Sequence, residues 1–228
     1  MKLNQRANRQ SGLTAIEVLI VVVTLCLLAF LLLALPVPRA SSKAPLTACG
    51  SQLKQVALAQ IVWANDNEST IFLAQVSTNA RGFRELLSPT TLPHYFQSLS
   101  NELVSPRILT CPSDTRKPAN DFESLTTNHL SYFLNMDARP VAVTSTVPDA
   151  ETSNVLHGDR HITFSPAARG QIVTLTTNLS LRWTRKKGHG IIGNIALADG
   201  SVMKATDRDL AEYLLAPSRV SVQRLLFP

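Results

Sequence analysis

The sequence predicts an α+β protein, in which an N-terminal apolar helix leads to a second helix packed on a small antiparallel β-sheet. Three observations predict it. Leu13–Leu35 is an apolar run in which Glu17 is the one charge. Thr47 to Ala64 repeats apolar residues at helical spacing, and the second half of the chain carries β-type runs around an Asp-Gly turn.

The bulk numbers set the frame. With 228 residues there is room for one membrane segment and one globular domain, and 45% hydrophobic with 17% charged residues excludes extensive disorder. The formal charge is +6, but Lys2, Arg6 and Arg9 lie ahead of the apolar run; the remaining 19 basic residues face 16 acidic ones. That excess is too small to argue for a nucleic-acid partner. Four segments follow: a basic leader over 1–12, a transmembrane helix over 13–35, a Pro/Ser-rich link over 36–46, and a domain over 47–228.

Taken in order, the apolar run exceeds the roughly 20 residues that a helix needs to cross a bilayer core. The leader is positive and carries no acid, which places it in the cytoplasm and the domain outside, anchored by a single pass. The run is too long for the apolar part of a cleaved signal peptide, and no Ala-x-Ala site follows it. A plain signal anchor explains everything except Gly12 and Glu17. A carboxylate deep in a membrane helix costs about 2.5–3.5 kcal/mol on insertion scales, so it marks a function or a partner; Glu17 lies one turn in, where the cost is smaller.

Pro36, Pro38 and Pro45 then interrupt the helix, predicting a kink or a short extended link. In the second helix Cys49, Leu53, Val56, Ala57, Trp63 and Ala64 share a face into which Gln60 intrudes, while Leu58 and Val62 lie opposite. That pattern suits sheet on one side and neighbouring subunits on the other, or burial within one domain. Asn65-Asp66-Asn67-Glu68 ends the helix as a polar turn; its oxygens suit a calcium ion but lack EF-hand spacing, so no cofactor is assigned. A short helix is expected around Gly82–Leu87, amid Pro- and Ser-rich turns that include Cys111-Pro112-Ser113-Asp114. Strands are expected at Val141–Thr146, Gln171–Thr177, Leu179–Trp183, Gly193–Ala198 and Ser201–Ala205, the last two forming a type I′ hairpin across Asp199-Gly200. Asp207–Leu215 reads as a helix capped by Thr206 or Asp207.

Candidate chemistry is sparse. No Cys-x-x-Cys pair or Cys/His cluster is present in sequence, which argues against structural zinc. Outside the cytoplasm Cys49 and Cys111 would pair; the alternative is two buried thiols. His157-Gly158-Asp159-Arg160-His161 groups two imidazoles and a carboxylate, but Gly158 argues for a turn. No nucleophile, zinc-protease, phosphate-loop or dinucleotide motif occurs, so no catalytic residue is assigned and the protein is read as a non-enzyme. Arg182-Trp183-Thr184-Arg185-Lys186-Lys187 is a basic run with an aromatic. It suits DNA contact, or more simply a solvated loop with the tryptophan in the core.

Gly12-Leu13-Thr14-Ala15-Ile16-Glu17, behind the basic leader, resembles the processing site of type IV prepilins and type II secretion pseudopilins. The resemblance implies cleavage after Gly12 by a prepilin peptidase and methylation of the new N-terminus at Leu13, where the family usually has phenylalanine. It also implies pairing of Glu17 with that amine on a neighbouring subunit. Further segments resemble one bacterial pilin-like group: Cys49-x-x-x-Leu53-Lys54-Gln55, Trp63-Ala64-Asn65-Asp66-Asn67, Cys111-Pro112-Ser113-Asp114, Ser131-Tyr132-Phe133-Leu134-Asn135, Gly158-Asp159-Arg160 and Asn194 to Val202. Among them His189, nine residues and Asp199-Gly200 match a signature of that group. The implied function is a pilin-like subunit of a secretion pseudopilus or pilus, held in the inner membrane before assembly with other pilin subunits. The alternative is a single-pass envelope protein whose exported domain binds a ligand or is enzymatic.

Overall fold

The computed structural model describes residues 14–34, 43–140, 155–167, 170–176, 178–185, 187–215 and 223–228. The chain divides into two units, Met1–Ser41 and Ser42–Pro228. Gly12, Leu13, the prolines at 36 and 38, and the expected strand at 141–146 lie outside the described residues.

In the first unit α1 spans Ala15–Ala34 and is apolar all round. Ile16 and Phe30 are 67% and 72% exposed, and the leucines and valines between them are also exposed. Its side chains are described only as far as Leu31. Among the described residues no helix is long and apolar enough to cross a membrane.

The second unit begins with α2, Lys43–Asp66. It starts earlier than the expected Thr47, because proline is tolerated in a first helical turn and Pro45 therefore belongs to the helix rather than to the link. Cys49, Leu53, Val56, Ala57, Gln60 and Ala64 are buried, and Leu58 and Val62 are exposed, so both expected faces exist. The helix stops at the polar turn. Ser69 donates its N–H to the Ala64 carbonyl, and Glu68 takes a left-handed φ of 49°.

Between helix and sheet the expected helix at 82–87 is replaced by turns. Phe83 and Arg84 donate their N–H groups to the carbonyls of Leu73 and Val76, while Leu86 and Leu87 both donate to the Phe83 carbonyl, so the segment ties to the preceding loop and closes one turn without extending into a helix. The helices here are α3, Leu92–Ser98, and α4, Ser100–Leu103. Both were read as turns because Pro93 and the serines dominate the local signal; Leu92, Tyr95, Phe96 and Leu103 nevertheless bury an apolar face.

A six-stranded sheet is antiparallel throughout, in the order β4-β8-β1-β2-β6-β7. Its strands are β1 Tyr132–Asn135, β2 Val155–Asp159, β4 Ile172–Thr174, β6 Gly193–Leu197, β7 Val202–Ala205 and β8 Arg224–Leu226; β3 Ile162–Ser165 and β5 Ser180–Trp183 form a separate ribbon. Side chains alternate between two cores. Tyr132, Leu134, Leu156 and Ala196 join α2, while Phe133, Val155, Ile195 and Leu225 join Trp183, Leu210 and Leu214 on the other face. Strands buried on both faces lack the polar alternation that marks a half-exposed strand, which is why β1 and β2 escape a periodicity reading.

Two glycines are required by geometry. A Cβ on Gly158 would lie 2.5 Å from the Phe133 ring, its cross-strand partner. Gly200 adopts a φ of +82° and donates its N–H to the Leu197 carbonyl. Asp199 is not among the positive-φ residues, so the hairpin uses a three-residue loop ending in a left-handed glycine and not the expected type I′ turn. α5, Asp207–Leu215, lies where expected; Thr206 caps it, exchanging hydrogen bonds with Asp209.

Candidate functional site

At the start of α1, Thr14 donates both its N–H and its hydroxyl to Glu17 Oε2, at 2.7 and 2.9 Å. Thr-x-x-Glu is the sequence of a capping box, and here the carboxylate satisfies a donor that the helix itself leaves unpaired. Glu17 therefore has a local role within one chain that the sequence reading did not anticipate.

Several motif segments of the second unit, those holding Cys49, Cys111–Asp114, Gly158–Arg160 and Asn194, meet at one buried polar hub. Cys49, in the second turn of α2, is bonded to Cys111, with Cα atoms 5.0 Å apart and a sequence separation of 62. Of the two readings left open for these cysteines, the disulfide is the one found. The Cys111-Pro112-Ser113-Asp114 turn closes as expected, Asp114 donating its N–H to the Cys111 carbonyl. This presents the Asp114 carboxylate to Arg160, whose Nε and Nη2 donate to its two oxygens at 2.7 and 2.8 Å. The Asp114 side chain is 1% exposed. Burial alone would raise its pKa, but the Arg160 guanidinium overcomes this and holds the carboxyl well below the ordinary range. His161 lies 3.7 Å from the same carboxylate; burial, followed by the Arg160 charge, lowers its pKa.

Asp159, one residue before Arg160, is treated differently. It ends β2 facing β6, where Asn194 donates its N–H to Oδ2 at 2.7 Å and its side-chain amide at 3.2 Å. Among the described residues no lysine or arginine is paired with it, and burial pushes its pKa up to about 7 despite those two hydrogen bonds. A titratable neighbour is His189, whose Nε2 is 3.7 Å from Oδ2 and 3.2 Å from Cys111 Sγ. Burial lowers the His189 pKa, favouring neutral imidazole. A cavity of about 370 Å³ opens beside His189, lined also by Pro45, Leu46, Ser113, Ile191 and Ile192.

The five-residue His157–His161 stretch is thus a strand followed by a turn, and its two imidazoles are not neighbours in function. His157 is fully buried against α2. Its Nδ1–H donates to the Phe133 carbonyl at 3.0 Å, leaving Nε2 to accept from the Gln60 amide. Burial lowers its pKa to about 4, so it is a neutral core histidine. Gln60, the polar intruder on the apolar face of α2, is explained by this bond.

His189 and Asp199-Gly200 do not form a pair. His189 belongs to the hub, while Asp199, exposed at the turn between β6 and β7, accepts the Ser201 N–H at 2.8 Å. Trp183 is buried, so it is not presented to a nucleic-acid base. At the calcium candidate, Asn67 donates its amide to its own helix at the Trp63 carbonyl. The Asp114–Arg160 pair and the Asp159–Asn194 contacts were missed by sequence reasoning; their one signal was charged and amide residues placed inside otherwise apolar segments. Searches of family models, of characterised proteins and of solved structures return no match to this chain.

Proposed function

We propose that the chain is a prepilin-like subunit, cut after Gly12, held in the inner membrane by Leu13–Leu35, and assembled through that helix into a pseudopilus or pilus-like filament. The observation that carries this reading is the constellation of basic leader, Gly12, Leu13 and Glu17 ahead of a helix that is apolar on every face. A helix hydrophobic all round has to be covered by lipid or by other protein. A filament subunit needs both in turn, first the bilayer and then its neighbours. Cutting after Gly12 frees an amine at Leu13. In a low-dielectric bundle, Glu17 of one subunit and the amine of the next would neutralise each other, fixing partner and register. In the isolated chain the same carboxylate caps α1, which keeps it satisfied until a neighbour arrives.

Mass spectrometry of the mature N-terminus tests processing: a chain beginning at methylated Leu13 is expected, and one beginning at Met1 overturns the reading. Glu17→Gln and Glu17→Ala test assembly. Glutamine keeps an acceptor for the Thr14 N–H but removes the charge. If the ion pair drives assembly, both variants insert into the membrane and neither enters filaments. Filaments formed by Glu17→Gln but not by Glu17→Ala would assign Glu17 to capping alone.

A further inference from the structure

We propose that Cys49, Cys111 and His189 form a zinc site that the disulfide closes and that reduction opens. The geometry goes beyond the filament reading and does not depend on it. Three ligand-type side chains converge from α2, from the turn after α4, and from the loop ahead of β6. Both sulfurs and a ring nitrogen of His189 lie within 4.8 Å of one another. Tetrahedral zinc with bonds of about 2.3 Å to sulfur and about 2.0 Å to nitrogen needs ligand atoms roughly 3.5 Å apart. His189 Nε2 is already 3.2 Å from Cys111 Sγ. The two sulfurs must separate from their bonded distance, and reduction does this.

The sequence argues against zinc because no two of these residues are neighbours along the chain. The fold supplies the proximity. Asp159 Oδ2, 3.7 Å from the same imidazole nitrogen, places a further oxygen beside the cluster. The cavity beside His189 gives an ion a way in from solvent.

The chemistry balances with a dithiol as reductant. The dithiol gives two electrons and two protons to the Cys49–Cys111 bond, which breaks into two thiols as the reductant closes its own disulfide. Zinc then displaces both thiol protons and accepts a lone pair from His189, leaving a fourth position for water. Disulfide and metal are alternative ties between the same elements.

The test uses the full chain in detergent, reduced with dithiothreitol, freed of reductant without oxygen, and titrated with cobalt(II) as a spectroscopic stand-in for zinc. One cobalt per reduced chain is expected, with thiolate-to-cobalt charge-transfer absorption, and none of that absorption from the oxidised chain. His189→Ala should weaken binding at least about tenfold, while His94→Ala, at an exposed histidine, should not change it. Equal binding by oxidised and reduced chains overturns the site, as does equal binding by His189→Ala. Should reduction unfold the domain, added zinc should restore the circular dichroism of the oxidised form. A reduced chain that binds no cobalt, or stays unfolded in zinc, also overturns it.

Discussion

Asp114 and Asp159 are both almost completely buried and both belong to the polar hub, yet the protein handles them in opposite ways. Asp114 receives a two-pronged guanidinium and stays ionised. Asp159 receives two neutral N–H donors and holds its proton up to about pH 7. At Asp159 two neutral donors do not offset burial, whereas at Asp114 a full counter-charge at contact distance does. The difference also assigns the two sites different work. The first is a fixed clamp between the turn after Cys111 and the end of β2. The second is a titratable group beside a disulfide and an imidazole.

The largest effect should come from breaking the clamp. Arg160→Met leaves Asp114 buried without its cation, and the loss should be about 3 kcal/mol at neutral pH, measured by urea unfolding of the oxidised protein. The pH dependence identifies the cause. With Arg160 present, the folded pKa of Asp114 lies below its unfolded value. Its contribution is therefore complete above the unfolded carboxylate pKa and fades as pH falls through the folded one. Without Arg160, burial raises the Asp114 pKa, so the variant should recover stability as pH drops toward about 4. A variant equally destabilised at pH 4 and pH 7 would mean that lost packing, and not the uncompensated charge, is responsible.

How far the sequence announces these features differs between the two units. In the first unit nearly everything that bears on function is local: charge order, apolar length, and the spacing of Gly12 and Glu17. Local patterns are what a sequence displays. In the second unit α2, α5 and the β6–β7 hairpin were readable for the same reason, since each is defined by contacts within a few residues. The two strands at the centre were not. β1 and β2 are buried on both faces, and His157, Gly158 and Asp159 look like turn residues until Phe133 and Asn194 are placed across from them. The hub follows suit. Cys49, Cys111, Asp159 and His189 could be named one by one, but their meeting depends on sheet order, which no spacing encodes.

Asp159 gives the second, smaller effect. Its raised pKa contributes stability that is complete below the unfolded value near 4 and lost as pH rises through about 7. His157 acts in the opposite sense: its pKa, depressed to about 4, contributes stability present above about 6.5 and lost as pH falls. The two oppose each other between about pH 4 and 7, and His161 and His189, whose pKa values burial also lowers, act in the same sense as His157. Asp159→Asn keeps an oxygen acceptor for Asn194 and removes the titration. Its stability should then rise with pH more steeply than that of the unaltered protein, the added slope being at most about 1.4 kcal/mol per pH unit in thermal unfolding. A profile unchanged from that of the unaltered protein would show that Asp159 does not hold its proton in the folded state.

The smallest effect belongs to a third carboxylate of the same motif set, the exposed Asp199. It is exposed to water and accepts the Ser201 N–H at 2.8 Å. Asp199→Ala should therefore cost only about 0.5–1 kcal/mol, as expected for one local turn bond. It should leave the pH profile and the hub unchanged, because His189 contacts Asp159 and Cys111 and takes no part in the hairpin. Urea unfolding at pH 5 and pH 8 checks both points. A loss of several kcal/mol, or a new pH dependence, would mean that the Asp-Gly pair reports to the hub and that His189 and Asp199 act together after all.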